Sequence, residues 1–494
     1  MRTAVALLAV LFVAGCGSHG DHASGTPTPL PAEDARVGVA SGDWPMFGHD
    51  PARTNDAPGG IAPDRVATLR EGRVALPGTV DSSPIYLAGV PVDGSRRDVI
   101  VMTTTYGRTL ALDAATAREL WRFEPASYGS LAGSAQITTA TPVSDRRAVY
   151  AASPDGVIHK LRLSDGNEVT TGDWPATVTA DPTHEKLASA LNLDGDTLLV
   201  TTGGYFGDAP PYQGKVVAIN RDDGRITWVL NSLCSDRREI IEPASCPASD
   251  SAIWGRAGAV VNPADHHSFV TTSNGPFDGR TNWGDSVLEL SARAGELLRH
   301  WTPSNQKELE EGDIDLGSTS PALLPDPDGD AAGFAIQGGK DGELRLLDLK
   351  SSLHRVTGED GPRLGGERQT IQAPGGAPVF TAIAVLHRRG LTLAFVATGS
   401  GTAAYRLDDD RLTKAWSSDA AGTSPVIAGG VLWVYDPTGG LNAYEPGSGT
   451  RSAHFDLPPG HWNSPIVAGD RVFLPTGDAN EHRTGGQLSI LTAG

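Results

Sequence analysis

The stretch TLALDAATARELWRFE, residues 109–124, decides the fold of this chain. Leu110 and Leu112 alternate with smaller or polar residues, and this period of two predicts a strand with one apolar face. Asp113 ends that strand, where its short carboxylate can accept backbone N–H groups of a tight turn. Trp121 opens a second strand and offers a large apolar surface for packing between neighbouring sheets. The stretch therefore predicts a β-hairpin that ends in a docking tryptophan.

Copies of this hairpin return along the chain at intervals of about 40 to 60 residues, and with the weaker ones there are about eight. The stronger copies end in a tryptophan; they are VVAINRDDGRITW ending at Trp228, VLELSARAGELLRHW ending at Trp301 and AAYRLDDDRLTKAW ending at Trp416. The weaker copies are residues 159–169, residues 441–455, LRLLDLKSS from Leu344, and QLSILTAG at the end of the sequence. Such a period predicts a radial or linear repeat architecture.

The hairpins resemble the tryptophan-docking repeat of the quinoprotein-like (PQQ-repeat) β-propellers. The matching residues are Ala111, Asp113, Thr116 and Trp121. Ala117 stands where the family usually has glycine. The resemblance covers nearly all of residues 43–494 and implies an all-β, eight-bladed β-propeller, which is one closed domain of whatever length its blades require. The family holds both enzymes and non-enzymatic scaffolds, so the fold alone does not decide the activity.

Composition excludes one class of partner. The 59 acidic and 40 basic residues give a formal net charge of −19. Such a surface repels phosphate backbones, so we expect no nucleic-acid binding.

The 60 glycines and 35 prolines agree with the many turns of a propeller. Several prolines open strands, where no ladder N–H is lost; these starts are SSPIYLAG at Ser82, TATPVSD at Thr139, TSPALL at Thr319, GAPVFTA at Gly376, TSPVIAGG at Thr423 and NSPIVAGD at Asn463.

The N-terminus predicts export. Residues 1–16, MRTAVALLAVLFVAGC, join a basic Arg2 to an apolar run that is short for a membrane span. The end of this run, VAGC, resembles a bacterial lipobox, which implies cleavage before Cys16 and diacylation of its thiol. The alternative is an ordinary signal peptide that contains a cysteine. Both place the folded part outside the cytoplasm, and we expect a monomer anchored to the cell membrane by lipid and facing the extracytoplasmic side.

Two further segments precede the blades. Residues 17–42 hold hardly any large apolar residue and predict a flexible linker. Residues 43–55, DWPMFGHDPARTN, resemble the entry sequence of quinoprotein-like propellers, in which Trp44 and Phe47 would be core anchors. In such folds an N-terminal segment completes the last blade and removes its open edge.

The longest departure from the repeat is residues 231–250, which carry Cys234 and Cys246. An extracytoplasmic chain with two cysteines in one short loop favours a disulfide between them. A metal site is the alternative, but the loop has neither a CxxC motif nor a histidine.

Residues 251–290 resemble the middle of the PQQ-dependent alcohol dehydrogenases, most closely the polyvinyl-alcohol-dehydrogenase-like branch. In that family a WG strand supplies a tryptophan that stacks on the quinone, and Trp254 matches it. A following N-P segment supplies an asparagine ligand to calcium, which Asn274 resembles. The resemblance thus implies PQQ and calcium as cofactors and a small alcohol as substrate.

Two later positions complete the implied site. The family's catalytic aspartate, also a calcium ligand, is best matched by Asp315, with Asp313 as the other candidate. Lys340, beside an Asp-Gly turn, matches the basic residue that contacts the quinone oxygens. The chemistry is coherent, because a planar quinone needs an aromatic floor, calcium needs oxygen ligands, and alcohol oxidation needs a carboxylate base and a nearby cation.

The chain also departs from the family. It lacks the adjacent cysteine pair that lies over the quinone, and it lacks a CxxCH haem motif. The family's glutamate ligand for calcium is missing, with Asp208 as a possible substitute. Each matched residue alone also has an ordinary structural explanation, as a core aromatic, a turn or a surface pair.

Two hypotheses follow from these observations. One is a PQQ-binding-like quinoprotein, and the other is a non-enzymatic scaffold lipoprotein with a protein partner at the cell envelope, similar to the scaffold of outer-membrane assembly. Convergence of Trp254, Asn274, Asp315 and Lys340 on one axial pocket would favour the quinoprotein.

Overall fold

The computed structural model describes residues 42–205, 209–329, 331–356 and 362–493. The predicted lipidation site Cys16, nearly all of the 17–42 linker and Asp208 lie outside these residues. Within the described part, eight sheets of four or five strands follow one another along the chain, and they form the eight blades of a β-propeller. The predicted fold class is confirmed.

The blades are numbered in chain order, each from its first strand, which faces the axis. Blade 1 has strands Ile85–Val92, Ser95–Thr103, Thr109–Asp113 and Glu119–Phe123. Blade 2 has Val143–Ser144, Ala148–Ser153, Val157–Arg162 and Ala176–Thr177. Blade 3 has Asn192–Asp194, Thr197–Thr201, Lys215–Asn220 and Ile226–Asn231. Blade 4 has Val260–Val261, Ser268–Thr271, Val287–Leu290, Leu297–Trp301 and His354–Arg355.

Blade 5 has strands Ala322–Pro325, Ala332–Gln337, Glu343–Asp348 and Gln369–Gln372. Blade 6 has Ala384–Arg388, Leu391–Thr398, Gly401–Asp408 and Arg411–Ser418. Blade 7 has Val426–Ala428, Val431–Asp436, Gly440–Tyr444 and Arg451–Phe455, joined in parallel by Asp56–Ala57. Blade 8 has Ile466–Ala468, Arg471–Thr476, Gly486–Ala493 and Leu69–Leu76.

The remaining elements are short. Glu185–Lys186 pairs with Gly203–Gly204 in a two-stranded sheet. The α-helices are Tyr128–Leu131 and Gln306–Gly312, and the 3₁₀ helices are Pro63–Thr68, Pro243–Ser245, Leu316–Ser318, Pro374–Gly376 and Ala479–Glu481. No helix in the described ranges is long and apolar enough to cross a bilayer.

The hairpin at residues 109–124 has the expected geometry. Asp113 Oδ1 accepts the backbone N–H groups of the next turn, including that of Thr116 at 2.9 Å. Trp121 is buried between blades 1 and 2, and its indole N–H donates to Leu163 O at 2.8 Å. Its ring lies against a glycine of the next blade, because a Cβ added at Gly166 would meet the ring at 2.5 Å. Each docking tryptophan of this kind therefore joins two consecutive blades.

The ring is closed by an N-terminal strand, as predicted. Leu69–Leu76 pairs antiparallel with Gly486–Ala493 along its full length and becomes the outer strand of blade 8. The pairing leaves no open edge between the first and last parts of the chain.

The entry segment has a separate role. Residues 44–57 bond to the first strands of several blades, and these bonds join Trp44 to Tyr86, Pro45 to Ser144, Pro51 to Val261, Thr54 to Val385 and Asn55 to Ile427. The segment therefore crosses one end of the ring and touches blades 1, 2, 4, 6 and 7. Trp44 and Phe47 are 1% and 2% exposed, which confirms them as core residues.

The insertion between blades 3 and 4 holds the predicted disulfide. Cys234 and Cys246 are bonded, with their Cα atoms 6.3 Å apart. Loop closure of this size stabilises a chain by about 2–4 kcal/mol.

Candidate functional site

A ring of hydrogen bonds joins the segments that precede the first strands. Their hydroxyl and amide groups bond to a neighbouring blade, which explains why serine and threonine recur before the prolines. The bonds are Ser83 N to Thr141 Oγ1, Thr139 Oγ1 to Ala188 O, Ser189 Oγ to Ile253 O, Ser320 Oγ to Gly258 O, Thr319 Oγ1 to Thr381 O, Ala382 N to Ser424 Oγ, Thr423 Oγ1 to Asn463 O, and Asn463 Nδ2 to Val80 O. The ring runs once through all eight blades. Side chains on these segments are thereby fixed around the propeller axis.

The four residues predicted from the sequence meet on this axial face. Lys340 Nζ lies 2.5 Å from Asp315 Oδ2 and 5.8 Å from the centre of the Trp254 ring. The backbone N–H of Asn274 donates to Asp315 Oδ1 at 3.2 Å. Asp313, the other candidate for the aspartate, has a mostly exposed side chain 3.9 Å from Lys340 Nζ. Of the two candidate aspartates, Asp315 is therefore the buried one and Asp313 lies at the rim of the site.

Two more carboxylates belong to this group, and the sequence reasoning missed both. The backbone N–H of Gly275 donates to Glu310 Oε2, and that of Leu316 donates to Asp285 Oδ1 at 3.1 Å. Burial raises the pKa of Asp285 well above its usual range, and the charge of Asp315 adds to the shift. Burial and Asp315 likewise raise the pKa of Glu310. The group thus crowds carboxyl groups where water is largely excluded, which favours the protonated, neutral form of Asp285 and Glu310.

Two aromatic side chains and a histidine continue from Trp254 across the face. Ring centres are separated by 6.0 Å from Trp254 to Phe380, 5.4 Å from Phe380 to Trp462 and 4.6 Å from Trp462 to His461. No planar ring fits between Trp254 and Phe380 at that spacing, so a ligand would contact this aromatic row from its open side. Phe380 and Trp462 stand beside the Ala-Pro and Ser-Pro strand starts in the sequence, and this position is the feature that could have identified them as residues of the face.

A second polar cluster lies at the far end of the aromatic row. His461 Nδ1 donates to the buried Asp81 Oδ2 at 2.8 Å and lies 3.3 Å from Asp478 Oδ1. Burial opposes ionisation of Asp81, but the bonds from His461 and the charge of Arg256 outweigh it and hold the pKa of Asp81 below its usual value. Burial lowers the pKa of the neighbouring Lys186 to about 8. The two ends of the row therefore differ, with excess carboxylate at one end and nearly balanced charge at the other.

Two groups of described residues bring three metal-ligating donor atoms within 4.8 Å of one another. One is Asp81, His461 and Asp478, where Arg256 and Lys186 already balance the acidic charge. The other is Asp265, His267 and Glu289 on blade 4, where Arg299 pairs with Glu289. The predicted ligands Asn274 and Asp315 belong to neither group.

The predicted calcium ligands nevertheless fit a hard cation in their chemistry. Asn274 Oδ1 is buried and accepts no hydrogen bond from the described residues, since the amide nitrogen is the atom that bonds Asp313 at 3.2 Å. Asp285 Oδ2 is likewise buried and accepts no hydrogen bond within the usual distance from the described residues. The side-chain amide of Gln306 interacts with the Asp285 carboxyl and partly offsets the rise in its pKa. Oxygen atoms of this kind are the ligands that calcium prefers.

Comparisons with known proteins find similarity both to an outer-membrane assembly factor and to quinoprotein dehydrogenases. Residues 70–262 match the PQQ_2 family model, described as outer membrane protein assembly factor BamB. No curated protein sequence matches the chain significantly.

Solved structures share the fold over nearly the whole chain. Quinohemoprotein alcohol dehydrogenase from Comamonas testosteroni is 15% identical, with a TM-score of 0.66 over 92% of this chain and 81% of that one. A europium-containing methanol dehydrogenase is 14% identical, with a TM-score of 0.66 over 91% and 98%. BamB from Moraxella catarrhalis is 11% identical, with a TM-score of 0.50 over 86% and 97%. The chain is an eight-bladed β-propeller, and residues 70–262 of it match the PQQ_2 repeat family.

Proposed function

We propose that the axial face binds a planar, anionic quinone of the PQQ type and that the chain is a quinoprotein with alcohol-dehydrogenase-like activity. One observation carries the proposal: Trp254, Asn274, Asp315 and Lys340 come from separate parts of the sequence and meet in one place. The dehydrogenases named above, which have the same fold, support it.

Different residues of the axial face would contact different parts of the quinone. Trp254 and Trp462 offer aromatic surface to a flat ring, and Lys340 and Lys186 offer positive charge to carboxylate or quinone oxygens. When bound, a quinone of this kind supplies a two-electron acceptor. Stacking and charge together select a flat anion over a flexible one.

Asp315 is the base of the proposed site. Its Oδ1 accepts one bond of 3.2 Å from Asn274 N and keeps a lone pair to accept the hydroxyl proton of an alcohol. Lys340 on Oδ2 keeps the carboxylate in place during this transfer. The position of Asp315, buried at the edge of the aromatic row, limits the access of water to the transferred proton.

We also propose that Cys16 carries a lipid anchor and that the propeller acts outside the cytoplasm. The Cys234–Cys246 disulfide supports this location, because such bonds persist in oxidising compartments. Metabolic labelling with palmitate tests the anchor: we expect a labelled wild-type protein whose label is lost in Cys16→Ala, and a wild-type protein that takes up no label would contradict it.

A second function has its own support. The BamB family model matches residues 70–262, which include most of the closing strand of blade 8, blades 1 to 3 and the start of blade 4. A scaffold at the cell envelope, with a protein partner in place of a cofactor, is therefore the alternative.

Titration with PQQ and calcium tests the proposal. The protein from residue 17 onward is followed by tryptophan fluorescence and melting temperature. We expect saturable quenching and a raised melting temperature, both abolished by Lys340→Ala. Lys350→Ala is the matched control, because Lys350 is an exposed lysine in the same blade. No response at any calcium concentration would refute the quinone site and favour the scaffold, whose partner would be sought by crosslinking.

A further inference from the structure

We infer that the outer rim of blades 4 and 5 binds a phosphate group through the guanidinium groups of Arg299 and Arg355. These arginines lie on the two outermost strands of blade 4, Leu297–Trp301 and His354–Arg355. The rim is therefore a different place from the axial face, and phosphate binding there does not depend on the proposed quinone.

The docking position of blade 4 departs from the repeat. In other blades the docking tryptophan pairs with an alanine of the preceding strand, next to a register shift; the pairs are Ala111–Trp121 in blade 1, Ala218–Trp228 in blade 3 and Ala404–Trp416 in blade 6. The pair at the corresponding register shift of blade 4 is Glu289–Arg299, and Trp301 stands two residues further along the strand. A charged pair thus replaces the apolar pair, and departures of this kind are typical of functional sites.

Arg299 keeps the hydrogen bond of a docking residue but not its ring. Its Nη1 donates to Leu349 O in a turn of blade 5, as Trp121 Nε1 donates to Leu163 O in blade 2. Its Nε donates to Glu289, whose side chain is 2% exposed. The guanidinium is thereby fixed in one orientation, and Nη2 remains for a ligand because it bonds no described residue.

A cavity of about 430 Å³ lies beside Arg299. Its lining includes Arg355, Arg363 and His354. The volume falls within the range of small-molecule sites, about 300–1,000 Å³. Because the whole chain carries a formal net charge of −19, a cavity lined by three guanidinium groups differs from the general surface and favours an anionic ligand.

The register of the outer strands points to an anion independently. His354–Arg355 leaves blade 5 and pairs with blade 4, and this pairing sets Arg355 directly opposite Arg299. Like charges directly opposite one another destabilise a sheet. Arg355 forms no ion pair with the described residues, and Glu289 offsets the charge of Arg299 alone. An anion shared by the two arginines would remove the repulsion.

The geometry of the donors favours phosphate among anions. A guanidinium group presents its N–H donors as a planar fork, which matches two oxygen atoms of a phosphate or a carboxylate. A carboxylate has two oxygen atoms and one charge, so a single fork satisfies it. A phosphate group carries nearly two charges and three acceptor oxygens, which two forks on neighbouring strands can share.

Calorimetric titration of the purified protein with inorganic phosphate tests the inference. We expect one saturable site, with affinity at least about tenfold weaker in Arg355→Ala and in Arg299→Gln, because each removes a charged hydrogen-bond donor. Arg355→Glu should abolish phosphate binding and also raise the melting temperature, since it sets opposite charges across the strand pair. Arg293→Ala is the matched control, because Arg293 is an exposed arginine in a turn of the same blade.

The possible outcomes have different meanings. No saturable phosphate binding by the wild type, or wild-type affinity in both Arg355→Ala and Arg299→Gln, would overturn the inference, as would tighter binding of citrate than of phosphate. Retention of the wild type, but not of Arg355→Ala, on phosphatidate vesicles would assign the phosphate group to a lipid headgroup, whereas binding of inorganic phosphate without such retention would assign it to a soluble ligand. No quinone enters these titrations, so failure of the phosphate site would leave the proposed function untouched.

Discussion

Gly449→Ala tests how far the docking tryptophans hold the ring together. Gly449 lies in a turn of blade 7 with φ of 70°, and the Trp416 ring packs directly on it. An added Cβ would lie 2.4 Å from Trp416 Cδ2, a separation that real Cβ atoms do not adopt. Trp416 is fully buried and cannot move without disturbing blade 6.

The expected loss is the sum of three effects. The left-handed backbone costs alanine about 1–2 kcal/mol. Overpacking of the ring costs about 1–3 kcal/mol. Displacement of Trp416 strains its 2.7 Å hydrogen bond from Nε1 to Pro446 O, worth about 1 kcal/mol. We therefore expect a loss of about 3–6 kcal/mol in the free energy of unfolding.

Gly430→Ala supplies the matched control. Gly430 is in the same blade with φ of 75°, but an added Cβ there meets no atom within 4 Å. Urea unfolding, followed by tryptophan fluorescence and circular dichroism, would measure both variants. Their free energies of unfolding should differ by the overpacking and hydrogen-bond contributions, about 2–4 kcal/mol. Equal losses in the two variants would refute the reasoning, because backbone strain would then explain the whole effect.

Three further predictions rest on single sites. Ala117 has φ of 57° where the family usually has glycine. Ala117→Gly should therefore increase the free energy of unfolding by up to about 1 kcal/mol and raise the melting temperature slightly; a lower melting temperature would contradict this. The pKa of Asp81 is held below its usual 3.8 in the folded chain, so its contribution to stability is present at neutral pH and is lost as pH falls below about 4. When the free energy of unfolding is measured as pH falls, Asp81→Asn should therefore lose less stability than the wild type. The same loss in both proteins would mean that the hydrogen bond from His461 to Asp81 does not stabilise the fold. Serine at Cys234 or Cys246 should lower stability by about 2–4 kcal/mol, and the effect should equal that of a reducing agent on the wild type.

The fold was largely predictable because its signal is local and repeated. Asp113 and Trp121 lie in one hairpin, so spacing alone predicted both the turn and the docking role. The sequence predicted that an N-terminal segment closes the ring, but it did not place the closing strand at Leu69–Leu76. Its pairing with Gly486–Ala493 joins distant parts of the chain, and no local pattern marks it.

The site was predictable only in part. Asp315 and Lys340 stand in short motifs that a family resemblance can identify. Glu310 lies on a single seven-residue helix that shows no sequence periodicity, and its importance comes from a contact with the backbone of Gly275, 35 residues earlier in blade 4. Such a contact depends on how the helix folds back onto the blade, which composition and spacing do not encode.

The closing strand has a consequence for synthesis. Leu69–Leu76 is made early, and its partner Gly486–Ala493 leaves the ribosome long after it. During that interval the early strand is an unpaired edge, which is a template for aggregation. Its sequence, LREGRVAL, carries Arg70, Glu71 and Arg73, and charges of this kind discourage edge pairing between chains. The polar outer face of this strand thus protects the nascent chain before it serves the finished ring.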